Sequence, residues 1–372
     1  MCRRMMLLFV LALALAPPDH AEAETPIGFA NPLTGPYAAS GARNRVAVKA
    51  AVQALNLEGG VLGEEVTIIP VDDACGIDEA VAAARQLIDA QVKVVVGHFC
   101  SHSSLMAAGI YEAADVLMIS PSSTHPRLTE EGRANVFRLN GRDDQQGRLA
   151  GDFLADHWAD RRIAILHDGT VYGEGLASQT RNRLRQRGLQ ETVYGAYQPG
   201  AMDYSTLVAR LQSASIDVLY IGGYGPDAGL ILRTARERGD DLQLIGGDGL
   251  GMDEFWTAAG ADGNGTIFSK GRDGRNSPEA AAVLAKFEEL GFGPRPGGLG
   301  SYAAVQVWAQ AVERAKSIKP AAVAAMLRRG RFDSVLGPVA FDDKGDLEGA
   351  GWQWQVWRNQ DSVPLDPLLA WR

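Results

Sequence analysis

Residues 94–104, Val-Val-Val-Gly-His-Phe-Cys-Ser-His-Ser-Ser, leave an apolar run and enter side chains able to do chemistry: two histidines, a cysteine and three serines. Three chemistries fit these types. His98, Cys100 and His102 could ligate a metal ion. A cysteine or serine near a histidine could act as a nucleophile with its base. The third reading is a turn from strand into helix, where unpaired backbone N–H groups and the helix dipole hold an anionic ligand. A metal site on alternate residues needs the strand to continue so that all three share a face, whereas the pattern turns helical at Ser101. His98, His102 and His167 are available as bases, but no G-x-S-x-G elbow or comparable hydrolase signal occurs.

The rest of the chain must position this stretch. Its 372 residues suit two domains. A hydrophobic content of 46% with 22% charged residues is that of a folded soluble protein. The net charge of −9 argues against nucleic acid or an anionic membrane surface as the main partner, since nothing would neutralise phosphates. A basic start, the apolar run Met5 to Ala16 and the small-residue pattern Ala21-Glu22-Ala23 are the three parts of a signal peptide, with cleavage expected after Ala23 and export to an oxidising compartment. Two cysteines then remain, and an even pair in an oxidising compartment points to a Cys75–Cys100 disulfide. Both follow strands expected to be neighbours.

Short apolar runs at Ile27 to Ala30, Val66 to Val71, Val92 to Val96 and Leu117 to Ser120 alternate with helical patterns at Val46 to Leu57, Glu79 to Ala90 and Ser103 to Ala114. Apolar residues at every position of a strand imply burial on both faces, hence a parallel sheet in an α/β fold. The pattern repeats with strands at Arg162 to Leu166, Thr192 to Tyr197, Val218 to Gly222 and Leu242 to Gly246. Helices are expected at Pro278 to Leu290, Tyr302 to Lys316 and Pro320 to Arg329, and an alternating strand at Trp352 to Val356. Two similar lobes place a small-molecule site in the cleft between them.

The ordered stretches LTGPYAASG (33–41), VDDAC (71–75), VGHFCSHSS (96–104), LMISPSSTHPRLT (117–129), RIAILHDGTVYGEGLA (162–177), DYSTLVARL (203–211), YIGGYGPDAG (220–229) and GPVAFDDKGDLEG (337–349) resemble periplasmic branched-chain amino-acid-binding proteins, the leucine/isoleucine/valine-binding receptors of ABC transporters. The resemblance implies two doubly wound parallel-sheet lobes joined by three crossovers, closing by a hinge on a ligand in the cleft. The first lobe would hold residues 24–142 and 271–350, the second 143–270 and 351–372. It implies a monomeric, non-enzymatic protein without cofactor that delivers an L-amino acid to an ABC permease. A periplasmic sensor for an amino acid or amide, or a hydrolase on the same fold, would share the scaffold.

The resemblance also assigns residues. Ser101 would hold the ligand carboxylate. Ser122 would accept from the ammonium through its carbonyl, and Thr124 would meet the substituents of the α-carbon; a hydroxyl both donates and accepts. Tyr172 and Tyr224 would pack on the ligand from the second lobe. Asp248 stands where the family commonly has glutamate paired with the ammonium. Ser40 occupies an often aromatic position, Phe99 replaces a common leucine, and Gly297 replaces another bulky residue, so these three would shape the side-chain pocket.

Overall fold

The computed structural model describes residues 24–271, 274–289 and 298–366. The signal peptide expected at 1–23 and Gly297 lie outside the described residues. The first lobe contains β1 (Glu24–Asn31), α1 (Ala38–Leu57), β2 (Glu65–Asp72), α2 (Ile77–Asp89), β3 (Val94–Gly97), α3 (Ser101–Ala113), β4 (Leu117–Ser120), α4 (Arg127–Glu130) and β5 (Val136–Arg138). Its strands form a parallel sheet in the order β2-β1-β3-β4-β5. Successive side chains of a strand point to opposite faces. Val94, Val96, Leu117 and Ile119 therefore enter one core, while Val95 and Met118 enter another against α2 and α3. Both faces are dry, which is why these strands are apolar throughout.

The second lobe repeats the design with α5 (Asp143–His157), β6 (Ile163–His167), α6 (Val171–Gln186), β7 (Val193–Ala196), α7 (Ser205–Ser213), β8 (Val218–Gly222), α8 (Gly225–Glu237), β9 (Gln243–Gly246), α9 (Asp253–Ala259) and β10 (Ile267–Lys270). Ala164, Leu166, Leu219 and Ile221 face the core with α7 and α8; Ile163, Ile165, Val218 and Tyr220 face the core with α5 and α6.

The chain then returns to the first lobe. Helices α10 (Ala281–Glu289), α11 (Leu299–Ala315) and α12 (Pro320–Arg329), with the small ribbon of β11 (Arg331–Phe332) and β12 (Val339–Ala340), add Phe287, Trp308, Val312, Leu327 and Phe332 to the first-lobe core. On α11, Val305, Trp308 and Val312 recur at helical spacing and are all buried. Truncating Trp308, among the largest fully buried side chains, would cost about 3–5 kcal/mol. Strands β13 (Gln353–Arg358) and β14 (Asp361–Pro364) finish in the second lobe, antiparallel, giving the order β14-β13-β10-β9-β8-β6-β7.

The three passages between lobes pack on one another. A Cβ at Gly141, in the first, would lie 2.7 Å from the Trp352 ring of the third. A Cβ at Gly271, in the second, would lie 2.5 Å from Asn140 Oδ1 in the first. Trp352 Nε1 donates to the Arg142 carbonyl at 3.1 Å. Glycine is needed here because the segments approach too closely for a side chain.

One expectation is corrected. Strands β2 and β3, which precede Cys75 and Cys100, are not neighbours, because β1 lies between them. The loops beyond the two strands close that gap and bring the Cα atoms to 5.5 Å in a disulfide.

Candidate functional site

In open α/β sheets, ligands bind beyond the carboxyl ends of strands, where the strand order reverses. The reversals fall between β1 and β3 in the first lobe and between β6 and β8 in the second. Ser40 lies on the helix after β1, Phe99 and Ser101 follow β3, and Ser122 and Thr124 follow β4. Opposite them, Tyr172 lies after β6, Tyr224 after β8 and Asp248 after β9. All eight line one cavity of about 280 Å³. That is at the small end of ligand pockets, which run from about 300 to 1,000 Å³.

Helix α3 begins at Ser101, with Cys100 as its N-cap, so the strand does not continue and Cys100 is spent in the disulfide. His98 is fully buried between Asp73 Oδ2, 2.6 Å from its Nδ1, and the Tyr111 hydroxyl, 3.0 Å from its Nε2. Both ring nitrogens are therefore occupied, and the ring anchors the end of β3. His102 is half-buried, with Nε2 against the Cys75 carbonyl, where the disulfide holds the Cys75 loop beside the start of α3. The hydroxyls of Ser104 and Ser120 donate to the His98 carbonyl at 3.3 and 3.0 Å. The stretch is thus a braced turn. Among the described residues no cluster of His, Cys, Asp or Glu is placed to hold a metal ion.

Ser101 Oγ accepts from the Thr124 N–H at 3.3 Å and the His125 N–H at 3.4 Å, so the two hydroxyl-bearing loops are joined. Its hydroxyl proton remains available to an anion in the cavity. Asp248 is held from several elements. Its Oδ1 accepts from the Tyr172 hydroxyl at 2.8 Å and Gln146 Nε2 at 3.2 Å. The same Tyr172 oxygen accepts from the Gly249 N–H at 3.0 Å. Burial pushes the Asp248 carboxyl above the usual range, against the hydrogen bonds from Tyr172, Gln146 and Asn140. What exposure it retains faces the cavity. Asp143, fully buried at the start of α5, is pushed well above the usual range by burial first and by Asp248 second.

Several residues of the site were not anticipated. Tyr37 of the first lobe packs against Tyr224 of the second with ring centroids 4.7 Å apart, and Tyr224 packs on Tyr172 at 5.0 Å. Ser40, expected to shape the side-chain pocket, does line the cavity, but its hydroxyl and N–H both donate to Glu254 of α9, at 3.0 and 2.8 Å. Arg43, one helical turn after Ser40, pairs with Asp253 and Glu254. The i, i+3 spacing of Ser40 and Arg43 on a helix was a readable signal; their acidic partners were not. Gln146 and Asn140, which hold Asp248, carried no signal either.

The periplasmic binding protein family model matches residues 24–357, nearly the whole described chain. This chain belongs to the periplasmic binding protein family. A Leu/Ile/Val-binding protein homolog 1 of Brucella suis is 40% identical over 348 residues, covering 93% of this chain and 94% of that one. A leucine-, isoleucine-, valine-, threonine- and alanine-binding protein of Pseudomonas aeruginosa is 37% identical, covering 87% of each chain. The crystal structure of a leucine-binding protein from Thermotoga maritima superposes with a TM-score of 0.84 at 27% identity, covering 92% of this chain and 98% of that one. In this binding protein the cavity lies at the strand ends of both lobes and is lined by groups from each.

Proposed function

We propose that this protein is the receptor of an ABC importer, exported through a cleaved signal peptide and acting as a monomer, that binds an L-amino acid with leucine, isoleucine and valine as first candidates. Residues 24–142 and 271–350 form the lobe that receives the ligand, and 143–270 with 351–372 the lobe that closes on it. The observation that carries the reading is the convergence, in one cavity, of Ser101 and Thr124 from one lobe with Tyr172, Tyr224 and Asp248 from the other. A zwitterion needs a donor set for its carboxylate and an acceptor set for its ammonium. The start of α3 with Ser101 supplies the first, and the Ser122 carbonyl with Asp248 supplies the second.

The ligand shifts the hinge equilibrium because it touches both lobes only when they are closed. In the closed state the acid and the tyrosines of one lobe and the hydroxyl loops of the other all face the ligand. The relatives whose names record branched-chain ligands support the same class.

Calorimetric titration of the mature protein, unfolded and refolded to remove co-purified solute, tests the reading. Leucine, isoleucine or valine should bind with a single site, and each should raise the unfolding midpoint; at about 100 times its dissociation constant a ligand adds roughly 2.7 kcal/mol. Binding of small carboxylates alone, with no amino acid bound, would overturn it.

A further inference from the structure

Asn140 stands on the first passage between lobes, after β5, and lines the cavity. Its Oδ1 accepts from the Gly141 N–H at 2.8 Å, which orients the amide. Its Nδ2 donates to the Ser122 carbonyl at 3.0 Å and reaches Asp248 Oδ2 at 3.4 Å. Ser122 belongs to the first lobe and Asp248 to the second. Asp248 Oδ1 is satisfied by Tyr172 and Gln146 of the second lobe itself; among the described residues Asn140 is the group that meets Oδ2.

We propose that Asn140 is a positioning residue for the ligand ammonium: its amide draws together two acceptors from opposite lobes, so that closure can precede the ligand and the ammonium meets an assembled pair. The ammonium half of this proposal rests on the amino-acid reading; the bridging half does not. A carbonyl and a carboxylate facing each other with no donor between them repel, and that repulsion opposes closure of an empty cleft. An amide nitrogen carries two hydrogens, one for each acceptor, and each oxygen keeps a further lone pair for a cation. Loss of the amide also removes one of the hydrogen bonds that pull the Asp248 carboxyl down against the upward push of burial. The other charged or titratable groups around this point are Asp143 on α5, Tyr172 on α6, Tyr220 on β8, Tyr224 before α8, Lys270 at the end of β10, Arg275, and Arg43 with Asp253.

The test compares wild type with Asn140→Leu, which keeps the side chain's branching and heavy-atom count but has no donor, and Asn140→Ser, which retains one. Small-angle scattering of the ligand-free proteins should show the most open average for Asn140→Leu, with Asn140→Ser between. Affinity for leucine at neutral pH should fall about tenfold in Asn140→Leu. Across about pH 5 to 8 its affinity should begin to fall on acidification at a higher pH than in wild type, because the neutral form of Asp248 gains ground. A purely packing role would leave that pH profile in place. Unchanged scattering together with an unchanged pH profile would overturn the proposal. If wild type binds no amino acid but the scattering order holds, the amino-acid reading fails and the bridge stands.

Discussion

Arg43 on α1 and Asp253 on α9 meet across the cleft, guanidinium Nη1 to carboxylate Oδ2, at 2.8 Å. The pair sits in a network. Arg43 Nη2 reaches Glu254 at 3.3 Å and the Ser40 hydroxyl at 3.1 Å, and Ser40 itself donates twice to Glu254. Two acids of one lobe are thus held by a guanidinium, a hydroxyl and an N–H of the other. The side chains of Arg43 and Glu254 are only 14% and 10% exposed, so solvent screens them less than it screens a surface pair.

Removing the guanidinium should favour the open arrangement. Arg43→Ala leaves Glu254 buried with fewer partners, and a loss of about 1–2 kcal/mol from the closed state is expected. That corresponds to a roughly five- to thirtyfold weaker ligand affinity, carried mainly by a faster off-rate. Stopped-flow dissociation checks it; an unchanged off-rate would show that the network does not hold the closed form.

Ser101→Ala should remove a donor to the ligand carboxylate while also releasing the Thr124 and His125 N–H groups from their acceptor. A hydrogen bond to a charged group is worth about 1.5–3 kcal/mol, so affinity should drop by roughly ten- to a hundredfold. Calorimetric titration measures it, and circular dichroism verifies that the fold survives.

The disulfide closes a loop between residues 25 apart in sequence. Its loss should cost about 3 kcal/mol in stability. Thermal unfolding of Cys75→Ser beside wild type, and of wild type with and without reductant, should show the midpoint lowered in both comparisons. Equal midpoints would mean that the His98–Asp73 brace is sufficient for this corner.

Asp168 provides a pH prediction. Burial, and secondarily the nearby Asp227, push its carboxyl up to about 6, while the Thr170 hydrogen bonds and His102 across the cleft act in the opposite direction. A carboxyl held above its unfolded value binds its proton more tightly when folded. The resulting stability is fully present below about pH 4 and is lost as pH rises through about 6, about 2–3 kcal/mol in all. Asp168→Asn, which can still accept from Thr170, should be more stable than wild type at neutral pH and should change less between about pH 4 and 7. Identical pH curves of the unfolding midpoint would refute this.

Much of the architecture is written locally. Strand runs such as Val94-Val95-Val96 and Ile163-Ala164-Ile165 are apolar at every position because both of their faces are covered, and that pattern survives in one dimension. The same holds for the strand-end hydroxyls. A run that stops at Phe99-Cys100-Ser101 or Ser122-Ser123-Thr124 announces a loop at the carboxyl edge of a parallel sheet, and Phe99, Ser101, Ser122 and Thr124 line one cavity.

What the chain could not announce is the company these residues keep. Cys75 and Cys100 follow strands separated by β1, because strand order depends on how crossovers fold back and not on the run lengths. Arg43 and Asp253 are 210 positions apart, Asn140 and Asp248 are 108 apart, and the Tyr37–Tyr224 contact likewise joins opposite lobes. Periodicity reports which face of an element is buried; it carries no term for the angle at which two finished lobes meet. Ser40 reads as a pocket residue in sequence and becomes part of a cross-cleft network only once α9 stands opposite α1, since a hydroxyl takes its role from whichever acid the fold brings within 3 Å.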